Sequence, residues 1–290
     1  QILRGEFSVS REDGFGTQAM INATLQRERL VNDDHLRGYF IGGYLSRSVV
    51  TSTADGEIIG YGAYGGIYGA NRIEKNIFLD YYLAGSAGRH HFDLRFTRGL
   101  PETVNAEGAY DYLGIFGGLA MSGEAKWGRA ALTPRAGVDL SYALAGDAEV
   151  TASTFEDSVD GRIPLDDQQG VRIFGELGIL LEEERIRSDS TPGLEVMSVT
   201  PRIYCDMAVG TGSEAVCGLG AGLEYSFTDA NDGTTWGAEL DAETSGDISR
   251  GAIGVFYERP IFGDNGMMRL GSDVTERGRA NIAGELELKF

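Results

Sequence analysis

The chain has 290 residues, and its 25 basic and 44 acidic side chains give a formal net charge of −19. This acidic balance argues against nucleic acid as a partner, because binding to phosphates needs clustered Lys and Arg. No apolar run approaches the roughly 18 residues that a membrane-spanning helix requires, so a transmembrane helix is excluded. Glycine, at 43 residues, is about twice as frequent as in ordinary proteins.

Apolar and polar residues alternate with a period of two along most of the chain, which is typical of β-strands. In the last segment Ile282, Leu286 and Leu288 share one face. Glu285 and Glu287 share the other. The pattern of the second segment, Thr17–Val31, is also compatible with a short helix. In chain order we predict strands at residues 2–11, 16–31, 36–50, 56–72, 76–95, 106–124, 129–150, 169–184, 195–210, 216–228, 234–245, 249–259, 266–274 and 279–290.

These segments are longer than the usual strand of about 5–6 residues, and many reach the roughly 9–11 residues with which a tilted strand crosses a bilayer. The apolar face meets either the core of a soluble β-sandwich or the lipid around a barrel. The number of consecutive strands, the glycine that permits curvature and the aromatic residues near segment ends favour the barrel. We therefore predict an all-β fold, a transmembrane antiparallel up-and-down β-barrel of 12–14 strands forming one domain over residues 1–290. A soluble β-rich surface domain is the alternative.

An even number of strands places both termini on one side of the membrane, which we predict to be the periplasm. Twelve strands result if residues 1–33 form a plug or linker instead of the first hairpin. With this orientation Trp127 and Trp236 fall at periplasmic strand ends, at the membrane interface. The two longest connections, residues 96–106 and 151–168, fall outside the cell. We expect the second of them to be a solvated, mobile acidic loop.

Charged residues of both signs fall on the predicted inward face of the strands. They indicate a hydrated channel that does not bind a passing chain tightly, or ion pairs that hold the barrel closed, and both can be true. The predicted lumen-lining residues are Asp80, Arg135, Asp139, Arg172, Glu176, Arg202, Asp206, Glu239, Asp241, Glu243, Glu285 and Glu287.

The two cysteines, Cys205 and Cys217, lie symmetrically about a predicted turn near Thr211-Gly212-Ser213. Facing each other across a hairpin, they reach disulfide distance, and a disulfide suits an exported protein. Two free thiols are the alternative. With no histidine near them, a metal site is not indicated.

No catalytic or cofactor-binding motif stands out in the sequence. His90 and His91 are neighbours on one strand, so their rings point to opposite faces and do not form a joint metal site. A Ser–His pair of the kind that an outer-membrane hydrolase needs is not recognisable. Phosphate loops, dinucleotide fingerprints and nucleophile elbows are also missing from the sequence. We expect no enzyme activity, no cofactor and no metal.

Several stretches resemble the translocator β-domain of autotransporters, the proteins of type V secretion. The final amphipathic strand, which ends in Phe290 at the membrane interface, is similar to the assembly signal of outer-membrane proteins. The resemblance covers roughly residues 36–96 and 216–290, whereas residues 97–215 fit in spacing only. The matching stretches are LRGYFIGGYL at 36–45, GGIYGA at 65–70, LDYYL at 79–83, GLGAGLEYSF at 218–227, GVFYE at 254–258 and GELELKF at 284–290.

The resemblance implies a barrel in the bacterial outer membrane that anchors a surface protein and lets an N-terminal passenger reach the cell exterior. Its implied partners are outer-membrane lipid and lipopolysaccharide, the barrel-assembly machinery, and a passenger polypeptide or surface protein. This sequence departs from the family in two respects. No clear helix precedes the first strand, and no passenger is present. A stand-alone porin or structural barrel is therefore the alternative function.

Overall fold

A computed structural model describes residues 1–12, 16–51, 54–97, 102–186, 192–208, 215–246, 248–276 and 278–290. The side chains of residues 184–186, 248 and 264 lie outside this description. Within the described ranges no helix is long and apolar enough to span a membrane. The described backbone is almost entirely extended, apart from short turns and a 3₁₀ turn at Gly263–Asn265.

The described chain forms seventeen strands. They are β1 (Ile2–Glu12), β2 (Gly16–Asn32), β3 (His35–Thr51), β4 (Asp55–Glu74), β5 (Ile77–Phe96), β6 (Val104–Gly123), β7 (Ala125–Trp127), β8 (Ala130–Ala145), β9 (Ala148–Ser153), β10 (Ser158–Ile163), β11 (Gln168–Ile186), β12 (Pro192–Ala208), β13 (Ala215–Asp229), β14 (Thr235–Ser245), β15 (Ile248–Ile261), β16 (Gly266–Thr275) and β17 (Ala280–Lys289).

The strands pair antiparallel in chain order and close into one barrel, because β1 pairs with both β2 and β17. Strands β8 and β9 pair in succession with β6 and act as one strand of the wall. The short β7 and β10 pair with β8 and β9. The barrel therefore has fourteen strands, and the sequence prediction of an all-β, up-and-down antiparallel barrel is confirmed.

The described part of residues 1–33 belongs to the wall of the barrel and not to a plug, since β1 and β2 form its first hairpin. The segment Thr17–Val31, for which a helix was the alternative, lies within β2. The prediction of one domain over residues 1–290 stays a prediction.

The segment 151–168, which we expected to be a solvated, mobile loop, contains part of a hairpin, because β9 and β10 pair there, although β10 is exposed throughout. Its polar side chains pair across the two strands. Thr151 Oγ1 donates to the Asp160 carboxylate at 2.8 Å, and Arg162 lies 3.4 Å from Glu149. Asp160 and Glu149 are therefore cross-strand partners as well as solvated charges.

The wall has two faces that the strand register traces around the barrel, since directly paired residues point to the same side. The polar face carries the row Asn22, Glu6, Glu285 and Arg269, which pair in that order from β2 through β1 and β17 to β16. The apolar face carries the row Leu25, Leu3 and Leu288.

Large side chains on the apolar face are open to the surroundings. Ile41 and Leu45 on β3 are 60% and 61% exposed, and Ile253 on β15 is 62% exposed. Leu, Ile and Val in such numbers on the outside of a barrel form a continuous unburied surface, which calls for an apolar medium around it.

Glycines on the polar face lie under aromatic rings from the neighbouring strand. A β-carbon on Gly237 would lie 2.4 Å from a ring carbon of Phe256, and one on Gly118 would lie 2.5 Å from the ring of Tyr82. Glycine is required at these positions because it lets the ring lie flat on the backbone. The same arrangement joins Gly38 to Tyr68, Gly42 to Tyr64, Gly137 to Phe174 and Gly218 to Tyr204.

The connectivity gives the barrel two distinct ends. At the near end, defined by Gln1 and Phe290, the Phe290 amide donates to the Gln1 carbonyl at 2.9 Å. The Gln1 amino group donates to the Phe290 carbonyl at 3.2 Å. The far end includes the β9–β10 hairpin and the end of β12 at Ala208. Both termini therefore lie on the same side of the barrel, as an even number of strands requires.

Candidate functional site: the polar face of the barrel

The strand register places all twelve predicted lumen-lining residues on the polar face. Ten of them join cross-strand ion pairs, and one of these pairs joins Arg202 to Asp241. The other pairs are Arg135 with Glu176 (3.2 Å), Arg172 with Asp206 (3.6 Å), Arg250 with Glu243 (3.7 Å), Arg269 with Glu239 (3.9 Å), and Arg4 with Glu285 (2.8 Å) and Glu287 (2.7 Å).

Three of these arginines also stack on aromatic rings of the polar face. The guanidinium of Arg269 lies 4.2 Å from the centre of the Phe256 ring, whose edge covers Gly237. A cation over an aromatic face is attracted by the ring, so the stack holds each arginine in place between its carboxylate partners. The other two stacks are Arg172 on Tyr204 at 4.6 Å and Arg135 on Phe174 at 5.1 Å.

The remaining two predicted residues, Asp80 and Asp139, accept hydrogen bonds from neutral donors. Ser122 donates to Asp80 at 3.0 Å, and Tyr82 donates to Asp139 at 2.8 Å. Three further carboxylates of this face are held in the same way: Glu28 by Tyr68 and Gln26, Glu6 by Asn22, and Asp273 by Asn281.

The two kinds of contact have an electrostatic consequence. In the described strands, each arginine of the polar face lies within ion-pair distance of a carboxylate, including Arg72 with Asp34 at 3.2 Å. The carboxylates with neutral partners keep their charge uncompensated, since a hydroxyl or amide donor adds no positive charge. The polar face therefore carries excess negative charge.

Strands β3 to β6 give the polar face a tyrosine-rich stretch that the sequence reading missed. The hydroxyls of Tyr44 and Tyr112 contact each other across β4 and β5. The ring of His90 packs against Tyr110 and Tyr112, with centroids 5.0 and 5.3 Å apart. The alternation within each strand already places these tyrosines on its polar face. Parity alone does not show that they meet across several strands.

The two histidines lie on opposite faces, as predicted. His91 is on the apolar face, where its ring stacks on Tyr61 at 6.0 Å. The described residues contain no group of three or more His, Cys, Asp or Glu side chains that could hold a metal ion.

Cys205 and Cys217 face each other directly in the register of β12 and β13 and are joined by a disulfide. Both lie on the apolar face near the far end. The predicted turn at Thr211-Gly212-Ser213 lies outside the described residues. The spacing of the cysteines was thus enough to predict their pairing.

The three residues predicted at the membrane interface lie at the near end of the barrel. Their positions in the alternation of their strands place them on the apolar face. Trp127 and Phe290 are each 78% exposed. Trp236 stacks on Phe227 with ring centroids 4.8 Å apart. The position of these rings at a membrane interface stays a prediction.

The near-end turn between β13 and β14 is held by a carboxylate. The backbone N–H of Thr234 donates to Asp232 at 2.9 Å. This hydrogen bond favours the ionised form and lowers the pKa of Asp232 below its ordinary value.

No family model matches the chain, and no curated protein matches it in sequence. Solved structures do match its fold over the whole chain. The translocator domain of the autotransporter NalP from Neisseria meningitidis has a TM-score of 0.55 and 13% identity, with 100% of this chain and 87% of that chain covered. The transport unit of the autotransporter AIDA-I from Escherichia coli has a TM-score of 0.52 and 12% identity, with 100% and 89% covered.

A channel also matches. The CymD monoaromatic hydrocarbon channel has a TM-score of 0.54 and 10% identity, with 100% of this chain and 88% of that chain covered. The similarity to autotransporter translocator domains that the sequence indicated is therefore confirmed for the fold. At these identities the fold alone is shared, and the neighbours include both translocators and a channel.

Proposed function

We propose that this chain is an outer-membrane barrel that serves as the translocator and anchor of an autotransporter-like surface protein. The observation that carries the proposal is the contrast between its two faces. One face of a closed wall exposes large aliphatic side chains, and the other carries ion pairs. In a bilayer the closed wall satisfies every backbone hydrogen bond, the apolar face contacts lipid and the polar face lines the lumen.

The lumen suits passage of a polypeptide better than passage of a hydrocarbon. Each described arginine of the polar face is paired with a carboxylate, and three of them also stack on rings, so they offer few free positive charges to a passing chain. These ion pairs and the further carboxylates make much of the wall polar, which is a poor surface for an apolar solute. A segment joined ahead of Gln1 starts at the near-end mouth of the lumen and reaches the far side through it.

The proposed orientation places the near end, with Gln1 and Phe290, in the periplasm. The far end then meets lipopolysaccharide and the cell exterior. The last strand, ending at Phe290, is read by the barrel-assembly machinery through strand pairing. The role is physical and not catalytic, and export draws its energy from folding of the passenger outside the cell.

Surface display tests this proposal. An unfolded epitope is fused ahead of Gln1, behind a signal peptide, and its exposure on intact cells is measured with antibody and added protease. The proposal expects exposure at the surface. An epitope that stays in the periplasm while the barrel is folded in the membrane contradicts translocation.

A matched pair of glycine variants tests whether the polar face lines the conducting path. Gly222 on the polar face has no neighbour within 3.5 Å of a β-carbon position, and the nearest atom is Asp241 Oδ2 at 3.6 Å. Gly175 on the apolar face is similar, with Ile203 Cγ1 at 3.5 Å. Gly222→Trp should lower the single-channel conductance in planar bilayers, whereas Gly175→Trp should leave it unchanged. Equal effects of the two variants contradict the assignment of the faces.

The second candidate is a stand-alone porin or structural barrel, which the likeness to the CymD channel favours. A wide, steadily open pore together with failure to display the epitope supports it. An outer-membrane hydrolase is the third class, and lipid or peptide hydrolysis lost in His91→Ala would support that one.

A further inference from the structure

Three arginines stand together at the near-end border of the apolar face. Arg29 on β2 pairs directly with Arg37 on β3, so the two guanidinium groups project from the same side of neighbouring strands. Arg27 lies two residues along β2 on that same face and pairs with Tyr39. All three arginines are exposed. Like charges directly opposite each other destabilise a sheet, so this arginine triad is costly unless an anion lies between its members.

None of the three has a carboxylate partner among the described residues. Glu28, between Arg27 and Arg29, points to the polar face, where Tyr68 donates to it at 2.7 Å. Asp34 in the following turn pairs with Arg72. The lack of partners does not reflect a shortage of acids, because the chain has 44 acidic residues. Arginines of the polar face are paired, whereas the triad is left open to the outside.

The triad lies at the border of the apolar face, and its neighbours on that face indicate which medium surrounds the triad. On the same face, the next residues from the triad toward the middle of the wall are Leu25, Ile41 and Ile67, which are 43%, 60% and 55% exposed. Tyr39 stands at the border with 47% exposure, as an aromatic residue does at the level of lipid headgroups.

A further hydrogen-bond donor lies beside the triad. Gly69 on β4 pairs with Arg37 on one side and with Tyr81 on the other. The Tyr81 hydroxyl turns back over this glycine and lies 2.5 Å from where a β-carbon would be. The hydroxyl therefore occupies the space over Gly69 next to Arg37, where it supplies a hydrogen-bond donor.

We propose that the arginine triad and the Tyr81 hydroxyl bind the phosphate of an anionic phospholipid headgroup in the leaflet at the near end. The phosphate diester of a lipid with no cation in its headgroup accepts several hydrogen bonds from guanidinium groups, and its net negative charge neutralises the repulsion between Arg29 and Arg37. Its acyl chains lie against Leu25, Ile41 and Ile67. The inference rests on the part of the proposed function that places the apolar face in lipid, and it does not depend on translocation.

The test compares the whole chain in vesicles of phosphatidylcholine alone and in vesicles that also contain phosphatidylglycerol. The thermal midpoint of the wild-type barrel should rise with phosphatidylglycerol by about 2 °C or more. The triple variant Arg27→Gln/Arg29→Gln/Arg37→Gln should be more stable than wild type in phosphatidylcholine, because the repulsion is gone. It should show no rise with phosphatidylglycerol. This reversal of order is not expected of a merely structural lesion.

Arg47→Gln provides the matched control, since Arg47 lies on the same face of β3 but is paired with Glu57 at 2.6 Å. Its response to phosphatidylglycerol should equal that of the wild type. Native mass spectrometry from neutral detergent gives a second measurement that needs no unfolding. There the triple variant should bind phosphatidylglycerol at least about tenfold more weakly than wild type.

An equal response of wild type and triple variant to phosphatidylglycerol overturns the proposal. So does an equal rise in phosphatidylcholine vesicles on adding inorganic phosphate, which would make the ligand a free anion. Failure of the barrel to enter vesicles at all refutes the proposed function. If the barrel inserts and displays the epitope but its thermal midpoint does not depend on lipid charge, only the lipid site is refuted.

Discussion

The stacking of Gly237, Phe256 and Arg269 makes a sharp prediction about packing on the polar face. In Gly237→Ala the new β-carbon would lie 2.4 Å from a Phe256 ring carbon and 2.6 Å from the Tyr225 carbonyl oxygen. The ring can turn away, but the carbonyl belongs to the paired strand. The methyl group therefore displaces both the ring and the arginine stacked on it.

The size of the effect follows from these distances. Forcing one extra carbon into a filled site costs about 1–3 kcal/mol. The upper part of this range applies because Arg269 also holds Glu258 at 2.8 Å and Glu239 at 3.9 Å. Moving Phe256 removes the surface on which the guanidinium rests, so these ion pairs weaken together with the ring contact.

Gly5→Ala on the apolar face is the control, because a β-carbon at Gly5 meets nothing within 4 Å. Alanine there should be neutral or stabilising by about 0.5 kcal/mol, since it restricts the unfolded chain. Urea unfolding from detergent micelles, followed by the fluorescence of Trp127 and Trp236, gives the free energies. If the two alanine variants unfold at the same urea concentration, the reasoning about ring and glycine packing is refuted.

Three other predictions concern the disulfide, a turn carboxylate and the charge of the polar face. The double variant Cys205→Ser/Cys217→Ser should lose up to about 3 kcal/mol of unfolding free energy, because the bridge spans 12 positions; a urea midpoint equal to that of the oxidised wild type would speak against this. The lowered pKa of Asp232 means that its hydrogen bond with Thr234 stabilises the fold above the unfolded-state pKa of about 3.9. That stability is lost as the pH falls through the lower folded-state pKa, and an NMR titration with an unshifted midpoint would refute the assignment. The excess carboxylates of the polar face should make the pore prefer cations at neutral pH and lose that preference in acid, so a reversal potential that does not depend on pH would contradict it.

Much of the fold was predictable because the decisive pattern is local. Alternation with period two shows each strand and its two faces within a few residues. This is why twelve to fourteen strands, the shared face of residues such as Arg172 and Glu239, and the facing cysteines could be predicted from the sequence. The local pattern of Thr17–Val31 also allowed a helix. The pairing of this segment with β1 and β3 makes it a strand, and a local pattern carries no information about such pairing.

The partners of each charge depend on register between strands far apart in sequence. Arg4 meets Glu285 and Glu287 only because the barrel closes between β1 and β17. The β9–β10 hairpin was missed because acidic residues in a long connection are interpreted as solvated until a facing strand supplies a partner, as Thr151 does for Asp160.

The sequence by itself determined the strands, their two faces and the chemistry that each face presents, because side-chain direction in a strand follows parity alone. The tertiary structure decided which residues of one face touch. Closure and register showed that the arginines of the polar face are paired with carboxylates, while Arg27, Arg29 and Arg37 are brought side by side without an ion-pair partner among the described residues. Electrostatic energy depends on distances between charges, and those distances exist only once the sheet has closed.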